Sequence, residues 1–138
     1  MILALRTAAG ALAGFLVAVP DAGVPGALYV EDTLIDEPFR GHGLVRLLGE
    51  ALESEAIARG FRYLTRDAAI GGGYADAIER AYAGRVLERR DHGSPYGPQR
   101  YLRLALAHAP PSPRLPRRPR QRPGSRSSPS SAVRRKAR

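Results

Sequence analysis

The feature that most constrains this chain is a change of hydrophobic period across the four residues Arg40-Gly41-His42-Gly43. Upstream, Ala27–Ile35 reads as a strand, with Leu28, Val30, Asp32 and Leu34 on one face and Tyr29, Glu31, Thr33 and Ile35 on the other. Each face carries one carboxylate among apolar neighbours, which is unusual for a buried strand. Downstream, after the loop Asp36-Glu37-Pro38-Phe39 and the glycine turn, Leu44, Leu47, Leu48, Ala51 and Leu52 recur at helical spacing, with Glu50 and Glu53 facing away. Arg59 suits the negative end of that helix, and Gly60 closes it after about 24 Å. The region is therefore a strand that feeds a helix through a glycine turn.

The rest of the pattern supplies the sheet. Ile2–Arg6 and Leu12–Val19 read as a hairpin around Thr7–Gly10, ended by Pro20. The same run has the length of a secretory apolar core. However, Ile2-Leu3-Ala4-Leu5 precede Arg6, the wrong order for such a signal, and the run is too short to span a bilayer. After the helix, Phe61–Thr65 predicts a short strand, Gly71–Gly73 a loop and Tyr74–Tyr82 a short helix. Gly84–Arg90 and Arg100–Leu106 predict two closing strands joined by the turn-rich Asp91–Gln99. The expected fold class is α+β: a mixed, mostly antiparallel sheet flanked by helices, in the order β-β-β-α-β-α-β-β.

Charge divides the chain. The formal net charge is +9, yet residues 109–138 hold ten cations and no acid, so residues 1–108 are close to neutral. The terminal stretch is rich in Arg, Pro and Ser and cannot bury enough apolar surface to offset its ordering entropy. It reads as a disordered basic tail behind one domain, 1–108. Such a tail either attracts nucleic acid or another polyanion weakly or is merely solvated, and no aromatic interleaves its cations to stack on bases. The chain has no Cys, which excludes disulfides, a Cys nucleophile and thiolate metal sites. His42, His92 and His108 are dispersed, so no metal site is expected. A dinucleotide fingerprint fails at Arg46, where its third Gly belongs; a P-loop fails because Lys136 is the only lysine.

The Arg40–Gly43 turn is what carries chemistry. Its glycines remove Cβ atoms where backbone N–H groups converge, and a helix start adds unpaired donors and partial positive charge. Arg40 and Arg46 flank it and suit anionic oxygens. Such a turn binds phosphate, or it is simply a strand-to-helix connection that needs glycines; the residues alone leave both open.

Glu31 to Leu44, with Arg40 and Gly43 at the first and fourth positions of Q/R-x-x-G-x-G/A, resembles motif A of the GNAT superfamily of acyl-CoA-dependent N-acetyltransferases. Val45 stands where the last Gly or Ala is expected. The resemblance spans Ala27–Leu106 by element order and is specific over Glu31–Leu52. It implies transfer of an acyl group from acetyl-CoA to a primary amine, on a small molecule or a peptide, by direct attack in a ternary complex. It further implies pantetheine along the backbone of Leu34 and Ile35, and pyrophosphate at Arg40, Gly41, His42, Gly43, Leu44, Val45 and Arg46. A free alkylamine holds its proton to a pKa near 10, so Glu31 or Asp32 is implied as the group that removes it. Tyr82 is implied as the donor to the leaving thiolate, although the family segment N-x-x-A-x-x-x-Y lacks its Asn here and Tyr82 falls one residue late. The residues themselves also allow Glu31 as a surface partner of an Arg and Tyr96 as a turn residue rather than an acceptor-mouth residue, and they favour Tyr82 as a core aromatic.

Members of that family place a strand and two helices ahead of the hairpin, whereas about 26 residues precede the acidic strand here. The acceptor half is therefore expected to be incomplete, with self-association as one way to complete it. Two other readings follow: an acyl-CoA-binding module without turnover, or a degenerate transferase fragment whose tail binds polyanions loosely. A cytoplasmic location without membrane contact is the expectation for all three.

Overall fold

The computed structural model describes residues 1–106, so the reading of 109–138 as a disordered tail lies outside it. The elements are β1 (Ile2–Arg6), β2 (Leu12–Pro20), β3 (Ala27–Ile35), α1 (Leu44–Ala58), β4 (Tyr63–Ala69), α2 (Tyr74–Ala81), β5 (Val86–His92) and β6 (Gln99–Ala105). They build one six-stranded sheet in the order β1-β2-β3-β4-β6-β5. Only β3 and β4 are parallel, joined by the crossover through α1; every other pair is antiparallel. The expected α+β class and element order are what the chain adopts.

Three local readings need correction. The strand expected at Phe61–Thr65 starts at Tyr63 and runs to Ala69. The α1 exit uses the intervening residues: Gly60, at φ +85°, donates to Ile57 and Phe61 donates to Ala56. The strand expected from Gly84 starts at Val86, because Gly84 and Arg85 complete a turn in which Arg85 N–H donates to the Tyr82 carbonyl. On α1, Leu48, Leu52 and Ala56 are buried, whereas Leu47 and Ala51 are exposed. The apolar stripe follows the four-residue row, and Glu53 lies half-buried beside it rather than facing away.

Strand β3 breaks its own alternation. Ala18 pairs with Val30 but Val17 pairs with Asp32, which leaves Glu31 as the extra residue of a β-bulge. Before the bulge, Leu28 and Val30 are buried; after it, Ile35 is buried and Leu34 is exposed. Strict alternation is wrong beyond Glu31, because the bulge shifts every later side chain to the other face. Both carboxylates, Glu31 and Asp32, are exposed as a result.

Both helices pack on one face. Leu48, Leu52, Ile78 and Tyr82 join Leu16, Val30, Leu64, Leu102 and Leu104 in a single core. Each fully buried leucine contributes about 1.5–3 kcal/mol by removal of apolar area from water. Arg100, 5% exposed, clips α2 to the last two strands. Its guanidinium donates to Asp91 at 2.7 Å, Asp76 at 2.8 Å and Glu79 at 2.7 Å.

Candidate active site

The parallel pairing of β3 with β4 stops early. It joins Ala27–Val30 to Tyr63–Arg66; beyond that, β4 continues with β6 alone and β3 with β2 alone. The edge of β3 from Glu31 to Ile35 therefore has no strand on its β4 side. The sheet opens into a wedge whose closed end lies at Val30 and Arg66, and the gap widens toward the Arg40–Gly43 turn. Over it, α1 and α2 frame a cleft of about 610 Å³ floored by Leu16, Val30, Leu64 and Leu104, with Tyr74 and Tyr82 on the α2 side. A second hollow, about 370 Å³, runs from Thr33–Ile35 to Phe39, Gly41 and Gly43. Thr33, Gly43 and Val45 line both, so the two adjoin.

At the wide end the turn has the properties of an anion cradle. Gly41 and Gly43 sit at φ +80° and +74°, a region that side-chain-bearing residues rarely adopt. No atom lies within 4 Å of where a Cβ would stand on either. Gly43 caps α1 without a side-chain hydrogen bond, and the first turn of α1 holds no acid. Its first N–H groups thus have no side-chain cap at the positive end of a 15-residue helix. Val45, at the departure from the motif, is exposed and shares the wall of both hollows.

The flanking cations are less free than their sequence suggests. Arg40 Nε donates to the Ile35 carbonyl at 3.0 Å, which fastens the turn to the end of β3. Arg46 pairs with Glu50 at 2.8 Å, and both side chains are well exposed. His42 is exposed, Leu44 half-buried and Leu34 exposed at the turn's approach.

The proposed acid–base residues stand on different elements, Glu31 and Asp32 on β3 and Tyr82 at the end of α2. Glu31 and Asp32 are exposed at the bulge, beside the closed end. Tyr82 is buried in the wall of the large cleft. Burial, then the charge of the nearby Glu53 carboxylate, pushes its hydroxyl well above the usual phenol range, and Arg85 opposes that. Arg85 closes this group with a 2.9 Å bond to Glu53 and lies 4.6 Å over the Tyr82 ring. Glu53, Arg85, Thr33, Tyr74 and Arg66 all line the cleft and were missed by sequence reasoning. For Arg66 a signal existed: a cation between Leu64 and Ala68 at strand period sits where an apolar residue belongs.

On the face away from the helices, Tyr29 Oη donates to Asp67 at 2.9 Å, and Asp67 also meets His92 Nε2 at 2.6 Å. Burial first, and Asp67 second, push the Tyr29 hydroxyl up to about 12.

With this geometry in view, the comparisons with known proteins are direct. The family model described as the acetyltransferase (GNAT) family matches residues 1–71. This chain belongs to the GNAT family. Solved structures agree in fold. The ribosomal-protein-S18-alanine N-acetyltransferase of Escherichia coli superposes with a TM-score of 0.65 at 18% identity, covering 83% of this chain and 74% of its own. A protein assigned as an acyl-CoA N-acyltransferase of Klebsiella pneumoniae gives 0.58 at 25% identity over 77% and 72%. An acetyltransferase of Bacillus cereus gives 0.59 at 19% identity over 77% and 72%. Among curated proteins, none matches the chain significantly. No helix among the described residues of this GNAT domain is long and apolar enough to cross a membrane.

Proposed function

We propose that the chain is an N-acetyltransferase that takes its acyl group from acetyl-CoA and passes it to a primary amine on a small molecule or peptide. The observation that carries this reading is the continuity of the unpaired β3 edge with the glycine turn. One cleft offers backbone hydrogen bonds along its length and an anion cradle at its mouth. Acetyl-CoA, when bound, supplies an activated acyl thioester.

The chain's residues divide the remaining work. The N–H groups of His42 to Arg46 would hold the pyrophosphate, with no side chain from Gly41 or Gly43 in the way. The backbone near Leu34 and Ile35 would pair with the pantetheine amides, as a further strand would pair with that edge. A free N–H on the same edge would stabilise negative charge developing on the carbonyl oxygen. Glu31 or Asp32, exposed beside the closed end, would take the amine's proton directly or through a water. Both also favour approach of a cationic amine. Tyr82 stands in the cleft wall beside the Glu53–Arg85 pair, and its hydroxyl would donate to a leaving thiolate.

Calorimetric titration of the full chain with acetyl-CoA tests the reading, repeated with Gly43→Trp. Saturable binding that the substitution abolishes is the expected result, since the indole would fill the cradle and strain a positive-φ position. A well-folded wild type that binds nothing would refute it.

A further inference from the structure

Three arginines line the large cleft, and two of them are neutralised. Arg46 is paired with Glu50 and Arg85 with Glu53. Among the described residues Arg66 meets no carboxylate. One nitrogen donates to Tyr74 Oη at 2.6 Å, its guanidinium lies 5.2 Å from that ring's centre, and its buried Nε has no partner. A guanidinium carries five N–H donors, and a buried one left without a partner is costly. Such a group is retained where something anionic comes to it.

Its position says what. Arg66 is the β4 member of the last parallel pair, opposite Val30, at the closed end of the wedge. Five residues of β3, about 16 Å at roughly 3.3 Å each, separate Val30 from Ile35 at the approach to the glycine turn. If the phosphates sit in that turn, the far end of the arm, with its sulfur, reaches Arg66. In acyl transfer to an amine, a C–N bond forms and the C–S bond breaks with its electron pair left on sulfur. The ammonium proton passes to a carboxylate or water, the transient oxyanion collapses back to a carbonyl, and the negative charge left at that end is on sulfur. Tyr82 also lines this cleft, buried beside the Glu53–Arg85 pair.

We propose that Arg66 is a catalytic residue that stabilises the leaving thiolate at the closed end of the cleft, a role resting on the acyl-CoA reading above. Tyr74 then acts as a positioning residue, holding the guanidinium by its hydroxyl and ring.

The test compares two probes, CoA and acetyl-CoA, by calorimetry across the thiol range around pH 7–9. Only CoA has a titrating thiol. With wild type, CoA affinity should rise about tenfold relative to acetyl-CoA as pH increases through the thiol's titration, equivalent to about one unit of lowering of the bound thiol from its free value. The thiolate's ultraviolet absorbance in the complex should show the same shift. Arg66→Met should abolish both effects while retaining acetyl-CoA binding, and Arg66→Lys should restore part of them. Parallel pH profiles for the two probes in wild type would overturn the proposal while leaving the acyl-CoA reading intact, whether or not the variants fold. Failure of both probes to bind would remove the acyl-CoA reading and this role together.

Discussion

The first four residues of β3 and its last five share one strand and have opposite duties. Ala27–Val30 is paired on both sides and buries Ala27, Leu28 and Val30; Glu31–Ile35 is paired on one side and exposes both its carboxylates and Leu34. One inserted residue, Glu31, divides them. The difference teaches that the site costs the fold little. Stability is concentrated where the sheet is continuous, and the proposed chemistry lies where pairing with β4 stops, next to the bulge.

The sharpest way to break this comparison is through catalysis. Glu31→Gln and Asp32→Asn should differ. The variant that removes the proton acceptor should lower kcat/KM by about 10²–10⁴-fold with an accepted primary amine, while its chemical denaturation midpoint stays at the wild-type value. Loss of stability without selective loss of turnover would return both carboxylates to ordinary surface charges.

Next in size is the core half. Leu28→Ala should destabilise by about 2–5 kcal/mol, because Leu28 is 2% exposed and its loss leaves a cavity. Leu34→Ala, six residues on and 44% exposed, should stay within about 0.5 kcal/mol. Equal costs in urea denaturation would show that the open half is structural after all.

Much of this fold is legible in the sequence because its signals are local. The hairpin, β3 and α1 follow from period, Pro and Gly alone. The bulge is not, since nothing at Glu31 announces that Ala18 and Val17 will pair with residues two apart. Glu53 likewise reads as a surface acid on α1. Its partner Arg85 is 32 residues away, and only tertiary packing brings them together. Arg100 needed three separate acids to become buried, two of them on α2, more than twenty residues away in sequence. The glycine turn was visible as a turn, while the gap that gives it a ligand's length to serve is a property of strand pairing.

A smaller effect tests how closely the two sheets of hydrogen bonds around the open half must approach. Gly14 pairs with Ile35, and a Cβ there would stand 2.7 Å from both the Leu34 carbonyl oxygen and Ile35 Cδ1. The carbonyl belongs to backbone and cannot swing away. Gly14→Ala should therefore cost about 1–3 kcal/mol and push β3 toward the gap. Acetyl-CoA affinity should fall with it. An alanine variant of unchanged stability and affinity would show that the β3 edge has slack there.

The smallest effect concerns the face away from the helices, where Asp67 is the first β4 residue past the parallel pairing. His92 Nε2 lies 2.6 Å from Asp67 and Nδ1 3.1 Å from the Gly93 carbonyl, so both ring nitrogens face acceptors and the imidazolium satisfies both. The Asp67 contact first, and the Gly93 carbonyl second, hold the His92 proton above the usual histidine range, against nearby Arg90. A pKa raised on folding stabilises the native state fully below the unfolded value near 6.5, and that contribution fades as pH rises through the folded value. His92→Gln should therefore melt below wild type at about pH 5.5, and the gap should narrow toward about pH 9, where both rings and amides are neutral. The effect is modest because the side chain is 38% exposed and screened by water. A gap of constant size across that range would assign the contact to packing of the β5–β6 turn against β4, with no share for charge.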